Sequence, residues 1–171
     1  MSEKMGRKWP GTPLKASDIE EGRVATAQGR PEAKYAWSAG ESIGRFLAEL
    51  KEGRLVGRKC DKCGRILFPP RSFCEECFVR AGDFVTLKDS GTVETYSISY
   101  IDTDARRLEE PIYVGVISID GASEKMGFMH YLGEVKADEL SIGLKVKAVW
   151  KSKADREGAI TDIRYFKPTG R

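Results

Sequence analysis

Apolar residues recur at two periods along this chain, and the period switches once. Between Ser38 and Gly53 they return at helical spacing, with Ile43, Phe46, Leu47 and Leu50 lining one face. Ser38 with Glu41 predicts a capping box, in which hydroxyl and carboxylate satisfy amides that the first turn leaves unpaired, and Gly53 predicts the stop. Glu41–Arg45 and Arg45–Glu49 predict i,i+4 ion pairs on the solvent side. A shorter helix is expected where Ser17 precedes Glu20 in a second capping box. From Gly82 onward the spacing is that of strands. Gly91–Ile101, Ile112–Ile119, Lys125–Leu132, Leu144–Lys151 and Ala159–Phe166 are the candidates, and in the fourth Leu144, Val146, Ala148 and Trp150 alternate with Lys145, Lys147 and Lys151. Five short strands predict a small closed barrel, since a sandwich would call for about seven.

The stretch between helix and strands holds every cysteine. The pattern therefore predicts a mainly β protein with N-terminal helices, organised as a helical arm over 1–53, a metal ribbon over 54–80 and a five-stranded barrel over 81–171. The arm before Trp37 is polar, carries Pro10, Pro13 and Pro31, and has few apolar positions, as expected of a segment loosely docked or used against a partner. At 171 residues and a net charge of +3, the chain can bury a core and has no electrostatic demand for nucleic acid or an anionic membrane. The longest apolar-rich run, Tyr113–Ile119, is too short to cross a bilayer, and Met1–Arg7 is charged with no apolar stretch behind it; a cytoplasmic protein is expected. Asn is absent and Gln28 is the single glutamine, the composition of a thermophile.

Cys60-Asp-Lys-Cys63 and Cys74-Glu-Glu-Cys77 are two C-x-x-C pairs. Four thiolates from two tight turns surround one tetrahedral ion at about 2.3 Å per bond. Gly64 follows Cys63 and supplies a positive φ, while Arg58, Lys59, Lys62 and Arg65 are expected to offset thiolate charge. The spacer Gly64–Phe73, with Pro69-Pro70, is expected to form a β-hairpin finger. The pattern reads as a zinc ribbon on Cys60, Cys63, Cys74 and Cys77; iron in a rubredoxin-like site uses the same ligands, and paired disulfides are the remaining alternative. Four thiolates leave no open position for water, so the centre is expected to be structural.

Catalytic signatures are sparse. His130 is the single histidine, flanked by apolar neighbours, and reads as a strand histidine satisfied by a nearby polar group. The sequence carries no G-x-S-x-G elbow, phosphate loop or dinucleotide fingerprint. Asp102/Asp104, Glu109–Glu110 and Glu20–Glu21 read as solvated turns. Arg106 and Arg107, between the first two barrel strands, are candidate ligand contacts for phosphate, and Tyr96, Tyr100, Tyr113 and Trp150 a candidate aromatic patch. No catalytic residue is assigned.

In order, the chain presents a helix ending Phe46-Leu-Ala-Glu-Leu-Lys-Glu-Gly53, then Arg54-Leu-Val-Gly-Arg-Lys-Cys60, Cys63-Gly64, Pro69-Pro70-Arg71, Cys74-x-x-Cys77, a strand opening Gly91-Thr-Val, and Ile142-Gly143 before the fourth strand. This series resembles the zinc-ribbon/OB-fold acyl-CoA-associated proteins, a family first described as a domain of unknown function. The resemblance spans Ser38–Pro168 and implies a rubredoxin-like ribbon followed by an OB-fold barrel. It also implies a non-catalytic subunit that binds a thiolase or hydroxymethylglutaryl-CoA synthase-type enzyme, or a MaoC-like hydratase, and assists acyl-CoA binding or transfer. The chain departs from the pattern between strands three and four, where the usual OB helix has room only in Val135–Ser141; the Ile43–Leu50 helix is expected in its place. Single-stranded nucleic-acid binding is the competing class, since ribbons and OB barrels both serve it. Asp83, Asp89, Glu94, Asp102, Asp104, Glu109 and Glu110 dilute a positive face, and only Lys145, Lys147, Lys151 and Lys153 favour it.

Overall fold

A computed structural model describes residues 15–25 and 37–170, and the chain divides into two units at Trp37/Ser38. In the first unit, α1 (Ala16–Glu20) begins one residue before Ser17, and the Asp18 carboxylate accepts the Lys15 backbone N–H at 2.9 Å. The expected Ser17–Glu20 box is corrected accordingly: an aspartate in the first turn captures the free amide before the serine is reached. Pro10, Pro13 and Pro31 lie outside the described residues.

The second unit opens with α2 (Gly40–Lys51); of the predicted face Phe46 and Leu50 are buried and Leu47 half-buried, while Ile43, in the first turn, is exposed. Gly53 ends it at φ +74°, its N–H donating to the Leu50 carbonyl at 2.9 Å while the Arg54 N–H donates to that of Glu49. The start differs from expectation. Ser38 Oγ accepts the Gly40 N–H at 3.3 Å, but Glu41 is drawn away to Arg58 and Arg80. Arg45–Glu49 pairs as predicted at 2.6 Å, with Arg45 on the solvent side, yet Glu49 is buried and also holds Arg54.

Strand β1 (Leu55–Lys59) is central in a three-stranded antiparallel sheet between β2 (Ile66–Leu67) and β5 (Phe84–Leu87). β3 (Phe73–Cys74) and β4 (Val79–Arg80) form a separate hairpin. Each hairpin thus closes around one C-x-x-C pair, and the Gly64–Phe73 spacer crosses between them instead of forming the expected finger. The reason is local: β2 finds its partner in β1 across the first turn, which leaves the spacer nothing of its own to pair with.

β6 (Ser90–Ile101), β7 (Arg107–Ile119), β8 (Gly127–Leu132), β9 (Lys145–Trp150) and β10 (Ile163–Pro168) close into a barrel in the order β10-β8-β7-β6-β9. All pairings are antiparallel except β8–β10, which meet in parallel at Leu132 and Phe166. This is the OB-fold expected from the five strand segments. Two boundaries move. β7 starts at Arg107, because residues 107–112 pair with β6 alone, so Pro111 has no second ladder to break. Ile160–Asp162 turn as a short 3₁₀ helix, because buried Asp162 accepts the N–H groups of Glu157, Gly158 and Ala159 at 2.7–3.1 Å. Three backbone donors outweigh the desolvation that opposes ionisation and hold its carboxyl below the usual range. Residues 135–141 form turns only.

One continuous core joins helix, ribbon and barrel. Phe68, fully buried, meets Phe46 of α2 edge-on at 5.7 Å and Phe128 of β8 at 5.2 Å, and Phe128 meets Phe166 at 5.8 Å. The α2 helix also lies against the Ile160–Asp162 turn. The β2 strand is tied to the β7–β8 loop, where Ile66 N–H donates to Ser123 Oγ at 2.9 Å and Ser123 N–H donates back to the Ile66 carbonyl at 3.1 Å.

Candidate metal centre

The two turns are built alike. Cys60-Asp-Lys-Cys63-Gly64 closes with the Gly64 N–H donating to the Cys60 carbonyl at 2.8 Å, and Cys74-Glu-Glu-Cys77-Phe78 with the Phe78 N–H donating to the Cys74 carbonyl at 2.9 Å. Gly64 has φ +76°, the conformation foreseen for it, and Phe78 has φ +52°. The four sulfurs converge to within 4.8 Å of one another. Cys63 and Cys74 Sγ stand 3.8 Å apart, the edge expected of a tetrahedron with bonds of about 2.3 Å. Cys60 and Cys74 are buried, Cys77 half-buried and Cys63 exposed, so one sulfur faces outward.

The electrostatics of the cluster suit a cation. The Cys63 backbone N–H, opposed by burial and helped by that of Lys62, lowers the Cys60 thiol to about 7. Its hydrogen bond with Cys63, then burial and Cys74, push the Cys77 thiol up to about 12. One thiol ionises readily while hydrogen bonding and burial hold a neighbour protonated; a divalent ion removes that conflict. Arg65 spans the two turns, pairing with Glu75 at 3.0 Å and Glu76 at 2.7 Å, and its nearness to Cys74 also favours its charge. Arg58 does not take the expected place beside the thiolates. Its buried guanidinium donates to the Gly82 carbonyl at 2.7 Å, Ser42 Oγ at 2.8 Å and Glu41 at 3.2 Å, and lies 5.0 Å from the Phe84 ring centre. It fastens α2 to the ribbon, and its alternation on β1 puts it on the helix side.

The other candidates separate in space. Arg106 and Arg107 sit at the exposed β6–β7 turn, where Asp102 accepts the Asp104 and Arg106 N–H groups at 2.8 Å each and Arg106 approaches Asp104 at 3.6 Å. Tyr96, Tyr100 and Tyr113 share one face of β6–β7. Trp150 does not join them; it lies at the other end of the barrel, with Nε1–H donating to Asp89 at 3.4 Å and Arg156 over its ring. The lysine stripe is interleaved with acidic and polar groups: Lys145 donates to Thr92, and Lys147, Lys151 and Lys153 face Asp89, Asp162 and Glu52 at 3.7–4.0 Å. His130 accepts the Tyr131 N–H on Nδ1 at 2.9 Å, which leaves Nε2–H to donate to the Ile160 carbonyl at 3.3 Å.

One feature escaped the sequence pattern: an apolar groove of about 470 Å³ between β8 and the start of β10, lined by Val114, Met129, Tyr131, Ile160 and Ile163 with Lys151 and Arg164 among its polar residues. The signal was present in Gly127–Leu132, which is apolar on both faces although one face turns outward and exposes Met129 and Tyr131. Arg106 and Arg107 do not line it. Among the described residues no helix is long and apolar enough to cross a membrane.

Known proteins share this architecture. Residues 47–82 match the ChsH2 rubredoxin-like zinc ribbon domain and residues 84–151 the ChsH2 C-terminal OB-fold domain. A DUF35 domain-containing scaffold protein of Methanothermobacter thermautotrophicus is 32% identical over 119 residues, spanning 67% of this chain and 86% of the relative. One from Methanocaldococcus jannaschii is 28% identical over 118 residues, spanning 67% and 81%. A DUF35-family crystal structure from Sulfolobus solfataricus superposes with a TM-score of 0.59 at 31% identity, covering 76% of this chain and 87% of that one. A chain of the Ltp2–ChsH2(DUF35) aldolase, at 21% identity, shares the fold with a TM-score of 0.56, covering 81% and 98%. With both domains matched in sequence and their order and closure reproduced in three dimensions, the chain belongs to the DUF35 family, whose members join a ChsH2-type zinc ribbon to an OB-fold barrel.

Proposed function

We propose that this protein is a non-catalytic scaffold subunit of a cytoplasmic acyl-CoA enzyme of the thiolase or hydroxymethylglutaryl-CoA synthase type, and that it assists acyl-CoA binding or transfer. The observation that carries the reading is a four-thiol centre whose buried members, Cys60 and Cys74, share one core with the helix and the barrel, in a chain whose relatives are named scaffold proteins. Such a centre stiffens a surface; it has no position left for substrate. Zinc suits it best, because four cysteine sulfurs at tetrahedral spacing match that ion's preference and a non-redox ion fits a structural role. The single histidine supports the non-catalytic reading, since both of its nitrogens are engaged by backbone.

A scaffold raises the concentration of a flexible pantetheine arm at the next site without new chemistry. Arg106 and Arg107, exposed at the β6–β7 turn, are the proposed phosphate contacts. The test is co-expression with the thiolase-type and the synthase-type enzyme of the source organism, followed by acyl-CoA titration of the free and assembled protein. Assembly with one of them, and tighter acyl-CoA binding in the complex, is the expected result. Single-stranded DNA binding that weakens steeply between low and moderate salt, with no enzyme bound, overturns it in favour of the nucleic-acid class. The carboxylates beside the lysine stripe, Asp89, Asp162 and Glu52, dilute its positive charge and speak against that outcome.

A further inference from the structure

The two cysteine turns close with the same hydrogen bond but differ in the residue that closes them. Where the first has Gly64, at φ +76°, the second has Phe78, at φ +52°. A left-handed backbone is natural for glycine and disfavoured for a bulky L side chain. Phe78 is the one aromatic residue in this conformation among the described residues. Its ring returns nothing to the fold, being 88% exposed and in contact with no other described aromatic ring. Gly64 shows that the turn closes without a side chain at this place. Phe73, on the same β3–β4 hairpin, is exposed as well, at 63%. The carboxylates between the two rings, Glu75 and Glu76, are exposed and steadied by Arg65 and Arg71. A disfavoured backbone held at a stiff metal-bound turn, presenting an aromatic ring to solvent, has the form of a preorganised binding anchor.

We propose that Phe78 is the anchor by which the second turn docks on a protein partner, entering a ring-sized apolar pocket with Phe73 against its edge and Glu75 and Glu76 facing basic groups on its rim. The charge of these carboxylates sets the rim's sign. The stiffness of the turn removes the backbone share of the ordering cost of placing the ring. This inference rests on the scaffold reading and names the contact that the scaffold makes.

The substitution Phe78→Gly separates docking from folding, because it relieves the backbone while removing the ring. Metal content and thermal midpoint are measured on the free full chain, and affinity by calorimetry against the enzyme, thiolase-type or synthase-type, with which the wild-type chain assembles. The expected result is unchanged metal, a midpoint equal to or above wild type, and affinity weakened about thirty-fold or more. Phe78→Tyr, which keeps the ring, is expected to bind close to wild type. Equal affinity of Phe78→Gly and wild type overturns the anchor while leaving the scaffold reading intact. So does a loss of metal and of thermal midpoint together with affinity in Phe78→Gly and Phe78→Tyr alike, which assigns the ring a folding role. A wild-type chain that binds neither enzyme overturns both readings. A wild-type dimer in sedimentation that Phe78→Gly makes monomeric gives the ring to a second copy of this chain and overturns the enzyme-docking proposal.

Discussion

His130 illustrates how a residue that invites a catalytic reading serves the fold. It is buried at the wall of the groove beside β8, between Phe128 and Phe166, ring centres 5.7 Å from each, with one nitrogen accepting and the other donating to backbone. Burial, outweighing its two backbone hydrogen bonds, holds its pKa below the ordinary 6.5. The folded chain therefore keeps His130 neutral where the unfolded chain protonates it. Stability from this group is complete above about pH 6.5 and falls as pH drops from there toward the lowered folded value. Thermal midpoints between pH 7.5 and 5 are expected to decline more in wild type than in His130→Gln; identical slopes would remove the histidine from this account. Asp162 works in the opposite charge state, its lowered pKa placing its contribution above the ordinary 3.8 and removing it only in stronger acid.

Between elements, the coupling runs through aromatic rings. Phe68 leaves the ribbon just after β2 and stands between Phe46 of α2 and Phe128 of the barrel, fully buried. Truncating it opens a cavity bounded by three elements at once. Phe68→Ala is expected to cost about 3–5 kcal/mol, read as a shift of the denaturation midpoint at constant slope. A cost below about 1 kcal/mol would mean that ribbon and barrel are independent. Arg58 acts at the same junction through polar contacts, its guanidinium filled by Gly82, Ser42 and Glu41. The Ser38–Glu41 box failed for this reason: two arginines from the ribbon compete for Glu41, and ion pairs with them outweigh one amide at a helix end.

For the whole molecule the consequence is shared stability. A free-standing ribbon would melt by itself when its metal is lost, yet here Leu55, Leu67, Phe68 and Cys74 belong to the same core as Val93, Ile117 and Phe166. Cys74→Ser is therefore expected to abolish the bound metal and to lower a single melting transition of ribbon and barrel together, followed by circular dichroism with elemental analysis alongside. Two separated transitions, the barrel's unmoved, would contradict the continuity of the core. Wild-type protein prepared without chelator is expected to carry one metal ion per chain.

What the sequence by itself determined about this protein depends on neighbours in the chain. Two C-x-x-C turns, the Gly64 conformation, the Phe46/Leu50 face, the Gly53 stop and five barrel strands were legible because period and turn chemistry are local. Only the tertiary structure decided what each long side chain meets. It sent Arg58 to α2 and away from sulfur, parted Trp150 from the three tyrosines, cut the fifth strand short with the buried Asp162 carboxylate, and opened a groove where β8 and β10 diverge. It also made Phe78 visible, since a positive φ and an exposed ring are properties of a folded turn. The physical reason is the same throughout: hydrophobic period constrains which face is buried, whereas ion pairs, aromatic contacts and grooves depend on residues brought together from distant parts of the chain.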